Sequence, residues 1–295
     1  MRAELRFLPA ISMAIACFAL APCRVSAQCT SETCDCSKAA QARHSGWRGT
    51  WYVLETDNVQ VFCEKADTPA RDLADRAETL RDSLESKWLG DVSKQAWNPC
   101  CQIFLYANKQ SYVAAVGPGS EHTVGSSLVK VDKGQITSRR IDLLGDQTEF
   151  LTAALPHELT HVILRDRFTS TPPPRWADEG MATLADTQAK QSRHHQDLKI
   201  AIANGALFRA ANLLAMDDYP SSDRYGTFYG ESVSLTEFLV NRASPQKFVE
   251  FIEQANSEGY DAALEKCYGI SGAVALDHEW RQSVNPVQLA SYNRQ

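Results

Sequence analysis

No long basic run occurs anywhere in this chain, whose 295 residues carry a formal net charge of -6. A positive field is what draws phosphate backbones, so nucleic acid is excluded as a partner. Repeats are missing too: nothing recurs at a period of roughly 20 to 50 residues, which excludes a repeat architecture. No low-complexity stretch is longer than "TPPP" at 171–174.

Long apolar runs are confined to the N-terminus. There Arg2 and Arg6 precede an apolar stretch from Phe7 to about Pro22, and Val25-Ser26-Ala27 follows as a small-x-small cleavage pattern. That stretch is shorter than the roughly 20 residues that span a bilayer, so it reads as a secretory signal over residues 1–27 rather than an anchor. Pro22 beside Cys23 argues against lipid attachment there. The expected protein is exported, secreted or held in the cell envelope, with no membrane span once the signal is gone. Removing residues 1–27 takes away three arginines and one glutamate, so the charge moves from -6 to -8.

Seven cysteines remain beyond residue 27: Cys29, Cys34, Cys36, Cys63, Cys100, Cys101 and Cys267. An exported chain can keep disulfides, and an odd number leaves at least one thiol over. "CTSETCDC" reads as a disulfide-tethered segment, 28–48, in preference to a soft-metal cluster.

A core of ample size is affordable for a chain with 44% hydrophobic residues. "TWYVLETDNVQVFCE" alternates around Val59, Val61 and Cys63 as a half-buried strand does. Leu73, Ala77, Leu80 and Leu84 then make a helical stripe within 68–89. "CQIFLYAN" is a second strand, so strand, helix, strand predicts a parallel pair joined by a crossover, with Cys63 near Cys101. "SSLVKVDKGQITSRRIDLL" predicts a hairpin turning at Asp132-Lys133-Gly134, where Gly134 supplies a positive φ. From residue 148 the pattern turns helical, with stops at Asn204-Gly205, Pro220, Pro245 and Gly259. The predicted fold class is α+β: an N-terminal mixed sheet with a crossover helix (49–147), then a mostly helical part (148–295), forming one unit over 49–295.

Chemistry concentrates in "LPHELTHVIL", 155–164. Positions i and i+4 share a helix face, so His157 and His161 can aim at one point. Two neutral imidazoles suit zinc, and Glu158 beside them can take a proton from water. A hydrolytic zinc takes a third protein ligand. Glu179, 18 residues beyond His161 in "PPPRWADEGMATLAD", is placed for it, in the first turn of a helix opening near Trp176. Pro156 implies either a kinked helix or a fresh one with the proline in its first turn. His194 and His195, amid charged neighbours, read as a solvated helix face.

His-Glu-Leu-Thr-His followed by Trp-Ala-Asp-Glu-Gly-Met-Ala resembles the gluzincin metallopeptidases, which include thermolysin and aminopeptidase N, and among them the small exported peptidase-MA-like proteins of bacteria. The resemblance is strong over 148–190 and weaker over 225–239. It implies a zincin-like fold, zinc held by His157, His161 and Glu179, and Glu158 as general base. It further implies a tyrosine that steadies the oxyanion, here Tyr229 in "YGES" with Tyr225 as runner-up, and Asp186 behind a histidine ligand. The Gly-x-Met-Glu-Asn stretch of the group's aminopeptidases is lacking, so aminopeptidase activity is not implied. The expected activity is hydrolysis of peptide or protein substrates, with an edge strand within 124–143 free to pair with an extended peptide. The rival expectations are a non-catalytic zinc-stabilised envelope protein of the same fold, and a metal-free module with a chance motif.

Overall fold

A computed structural model describes residues 41–64, 70–145 and 150–284. The signal-like segment and Cys29, Cys34 and Cys36, with the tether expected of them, lie outside the described residues.

One mixed sheet of six strands forms the first part: β1 (His44–Arg48), β2 (Trp51–Glu55), β3 (Val59–Cys63), β4 (Cys101–Tyr106), β5 (Gly125–Asp132) and β6 (Gln135–Leu144). Their order is β1-β2-β3-β4-β6-β5. β3, β4 and β6 run parallel, and the other pairings are antiparallel. The crossover between β3 and β4 is helix α1 (Ala70–Leu89), whose predicted stripe of Leu73, Ala77, Leu80 and Leu84 is buried. After α2 (Lys109–Val116) and the β5–β6 hairpin the chain is helical: α3 (Ala154–Arg167), α4 (Arg175–Thr183), α5 (Gln188–Ala203), α6 (Ala210–Leu214), α7 (Tyr225–Arg242), α8 (Pro245–Glu258), α9 (Tyr260–Tyr268) and α10 (Ala273–Ser283). No described helix is long and apolar enough to cross a membrane.

Alternation decides which sheet face is covered. Val59, Val61, Cys63, Cys101, Ile103, Leu105, Ile141 and Leu143 all join the core shared with α1 and α3. On the opposite face Phe62 stacks on Phe104 at 4.5 Å, and Tyr106 and Leu144 pack against Tyr112 of α2. The β5–β6 loop has two residues, and both Lys133 (φ 50°) and Gly134 (φ 77°) are left-handed. This is the turn whose twist matches the strands it joins.

Three expectations need correction. The stretch read as a single strand is a hairpin, β2 and β3, and β1 pairs ahead of it, so the sheet begins at His44, inside the segment assigned to 28–48. β1 is an edge strand with four of its five residues exposed, so it lacks the alternation that marks a half-buried strand. Cys63 and Cys101 are not neighbours: Cys101 pairs with Val59 and Cys63 with Leu105. Four residues of offset along a strand are about 13 Å, well past disulfide reach. Cys63, Cys101 and Cys267 are free thiols, and no disulfide joins two cysteines among the described residues. Burial pushes the Cys63 thiol up to about 12, which makes it inert at neutral pH.

Candidate metal centre

α3 starts afresh at Ala154, with Pro156 as its third residue. The missing proline N–H falls where helix donors have no partner anyway, so the helix loses nothing and runs on through His161. His157 and His161 therefore lie one turn apart, ring centroids 4.9 Å from each other. α4 follows the proline run, and Glu179 is its fifth residue, in the second turn rather than the first. The chain brings α4 close to α7 through Gly180, where an added Cβ would stand 2.7 Å from the Ser232 carbonyl oxygen. Only glycine permits that approach.

Ligand atoms of His157, His161 and Glu179 all lie within 4.8 Å of one another. His157 Nε2 is 3.6 Å from Glu179 Oε2. Ligand atoms on one tetrahedral zinc with bonds of about 2.0–2.1 Å would be about 3.3 Å apart, so the spacing suits such an ion. Glu179 Oε2 is buried without any hydrogen-bond partner. An orphaned carboxylate oxygen facing two imidazoles is a group that a cation would satisfy.

Further side chains orient the set. His157 Nδ1 is 3.1 Å from Asp186 Oδ2, which leaves Nε2 to face Glu179. Asp186 is also paired with Lys190 at 2.9 Å. His161 Nδ1 lies 2.9 Å from Asp178 Oδ1, in an ion-pair contact rather than an aligned hydrogen bond. Burial opposes a charged imidazole, but contacts with Asp186 and Glu179 hold His157 above its ordinary pKa. His161 overcomes the same burial through Asp178, Glu179 and Glu158, which push it up to about 10. Burial likewise opposes the Glu179 charge, yet the two imidazoles and the Tyr219 hydroxyl bring it down to about 2. The pocket therefore favours positive charge at its centre, and a divalent ion can take the place of those protons.

Glu158 lies beside this cluster, its Oε2 accepting a 2.7 Å hydrogen bond from Ser127 Oγ of β5. β5 is the sheet edge, and Gly125, two residues earlier on the same strand face, leaves room for the carboxylate: a Cβ there would meet Glu158 Oε1 at 2.8 Å.

Tyr229 is the fifth residue of α7, its ring stacked on His194 at 5.3 Å and 6.3 Å from the ring of Tyr219. Burial, then the charges of Glu179 and Glu158, hold its phenol above the ordinary range, so it is a neutral donor. Tyr225 opens α7 and is more exposed. The reading of His194 and His195 as a solvated face is overturned. Both are half-buried, His194 against Tyr229 and His195 hydrogen-bonded to Glu237 at 2.9 Å, so they fasten α5 to α7.

Sequence reasoning missed Ser127 and Tyr219, whose hydroxyl donates to Glu179 Oε1. No motif marks either, because each reaches the site from 30 or more residues away. Asp178 stands next to Glu179 in the motif, but the sequence pattern assigned it no role.

No curated protein matches the chain. The profile of the Peptidase MA superfamily matches residues 87–286, taking in β4 to β6 and every helix from α2 to α10. With well over half its length matched, and the two-histidine helix and α4 inside the match, the chain belongs to the Peptidase MA superfamily.

Proposed function

We propose that the chain is an exported zinc-dependent peptidase, with His157, His161 and Glu179 as the metal ligands and Glu158 as general base. The observation that carries this reading is the buried, unpartnered Glu179 Oε2 set 3.6 Å from His157 Nε2, with His161 in the same cluster. Family membership supports peptidase activity in general. Zinc, when bound, supplies a Lewis acid that polarises the scissile carbonyl and eases deprotonation of water.

The remaining work belongs to the chain's own groups. Glu158 accepts the proton of the attacking water and passes it to the leaving amine. Ser127 holds one of its oxygens, which leaves the other for the water. Tyr229, kept protonated by its surroundings, donates to the oxyanion. The backbone edge of β5 recruits an extended peptide by strand addition, beside the residues that hold Glu158.

The test is Glu158→Gln, assayed for metal content and for turnover of a broad peptide library. Zinc should stay at wild-type stoichiometry while kcat falls about 10²- to 10⁴-fold, the usual contribution of a positioned base. Undiminished hydrolysis removes Glu158 from its role. A zinc-loaded wild type that cleaves nothing in the library returns the protein to a non-catalytic zinc scaffold.

A further inference from the structure

Glu179 presents its two oxygens to different surroundings. Oε1 accepts the hydroxyl proton of Tyr219, a residue 40 positions along the chain between α6 and α7. Oε2 is buried, has no hydrogen-bond partner, and faces His157 Nε2. We propose that Tyr219 is a positioning residue that makes Glu179 a one-oxygen metal ligand, engaging Oε1 so that only Oε2 is offered to the ion. This rests on the metal reading above and adds to it which oxygen coordinates and what decides it.

The tyrosine is itself held in place. The Arg175 guanidinium lies 4.8 Å from its ring centroid, Phe228 packs edge-on at 5.7 Å, and Tyr225 is tilted against it at 5.8 Å. A ring fixed on several sides gives its hydroxyl a fixed direction, and a carboxylate bonded to that hydroxyl loses the freedom to rotate about its last bond. Without the bond, Glu179 can turn, share both oxygens with the ion, or drift from the imidazoles. The metal-bound arrangement then has to be selected from several, and affinity drops. Outer partners of metal ligands typically affect affinity about 10- to 100-fold.

The experiment measures Zn²⁺ affinity of the full chain by competition with a chromophoric chelator, for wild type, Tyr219→Phe, Glu179→Ala and the double variant. Tyr219→Phe keeps the ring and its packing, and circular dichroism of the metal-free protein verifies the fold. Zinc binding should weaken about 10- to 100-fold in Tyr219→Phe. The double variant should bind no more weakly than Glu179→Ala, since a residue acting through Glu179 has nothing to act on once it is gone. Wild-type affinity in Tyr219→Phe, or a loss that persists in the Glu179→Ala background, overturns the proposal. A wild type that binds no zinc overturns it together with the metal reading. Zinc affinities that move as stated in a protein that cleaves no peptide uphold Tyr219 and sink only the peptidase reading.

Discussion

Two buried glutamates at the two seams of α7 have opposite charge preferences. Glu179, on α4, is 3% exposed and is brought down to about 2; Glu231, on α7 itself, is 0% exposed and is pushed up to about 8. Burial raises both, so burial does not separate them. What differs is the company: two imidazoles and a phenol face Glu179, whereas Glu231 has the Phe208 backbone N–H on one oxygen and no hydrogen-bond partner on the other. Arg281 and Arg224 only partly offset the loss of water around Glu231. A glutamate kept ionised in the dark needs a cation source, and the α4 seam has been supplied with one. The lesson is that an unpartnered carboxylate oxygen has two meanings, a place for a metal or a place for a proton, and its neighbours decide which.

The largest effect expected from this contrast is on metal binding. Glu179→Gln should weaken Zn²⁺ binding by more than about 100-fold, beyond what an outer-shell change does, while Glu231→Gln should leave it within about twofold. Chelator competition on the two variants side by side measures both. Equal losses would erase the distinction between the seams, and with it the case for Glu179 as ligand.

Glu158 is buried as well, at 8% exposure, and one of its oxygens is held by the neutral hydroxyl of Ser127. A hydrogen bond to a charged group is worth about 1.5–3 kcal/mol, so Ser127→Ala should lower kcat about 10- to 100-fold. KM and zinc content should stay near wild type, and Ser127→Thr should recover most of the loss. A KM effect without a kcat effect would mean that Ser127 serves the peptide-pairing edge rather than the carboxylate.

How legible each of these was depends on how far its partners lie along the chain. The His157, Glu158 and His161 grouping is local helix geometry, and a helix was predictable through it because Pro156 sits where a first turn tolerates proline. Glu179 was readable because its own motif resembles a known one. Ser127 and Tyr219 left no trace, since a serine on a strand and a tyrosine before a proline are ordinary residues until the fold delivers them to a carboxylate. The crossover between β3 and β4 was readable from alternation and helical period, but the parallel register was not, and Cys63 was misplaced against Cys101 for that reason. Periodicity states which face a residue takes and says nothing of how far one strand slides along another. Glu231 was invisible as a buried acid, because "YGESVSL" reads equally well with the glutamate facing water.

The smallest expected effect concerns that residue. Its folded pKa of about 8 stands above the ordinary 4.5, so between these values the folded protein holds a proton that the unfolded chain has given up. Protonation then favours folding: the contribution is complete below about pH 4.5 and is lost as pH rises through about 8. Above that, the fold must carry an ionised carboxylate whose second oxygen has no partner. Glu231→Gln keeps an oxygen for the Phe208 N–H and carries no charge at any pH. The variant should therefore match wild type near pH 5 and melt at a higher temperature than wild type near pH 9. Comparing melting curves of the two proteins across that range cancels every other titrating group. A difference that is flat with pH would mean that Glu231 keeps its charge at neutral pH. In that case Arg224 and Arg281 would be compensating it fully, and the two seams of α7 would be alike in the one respect on which their contrast rests.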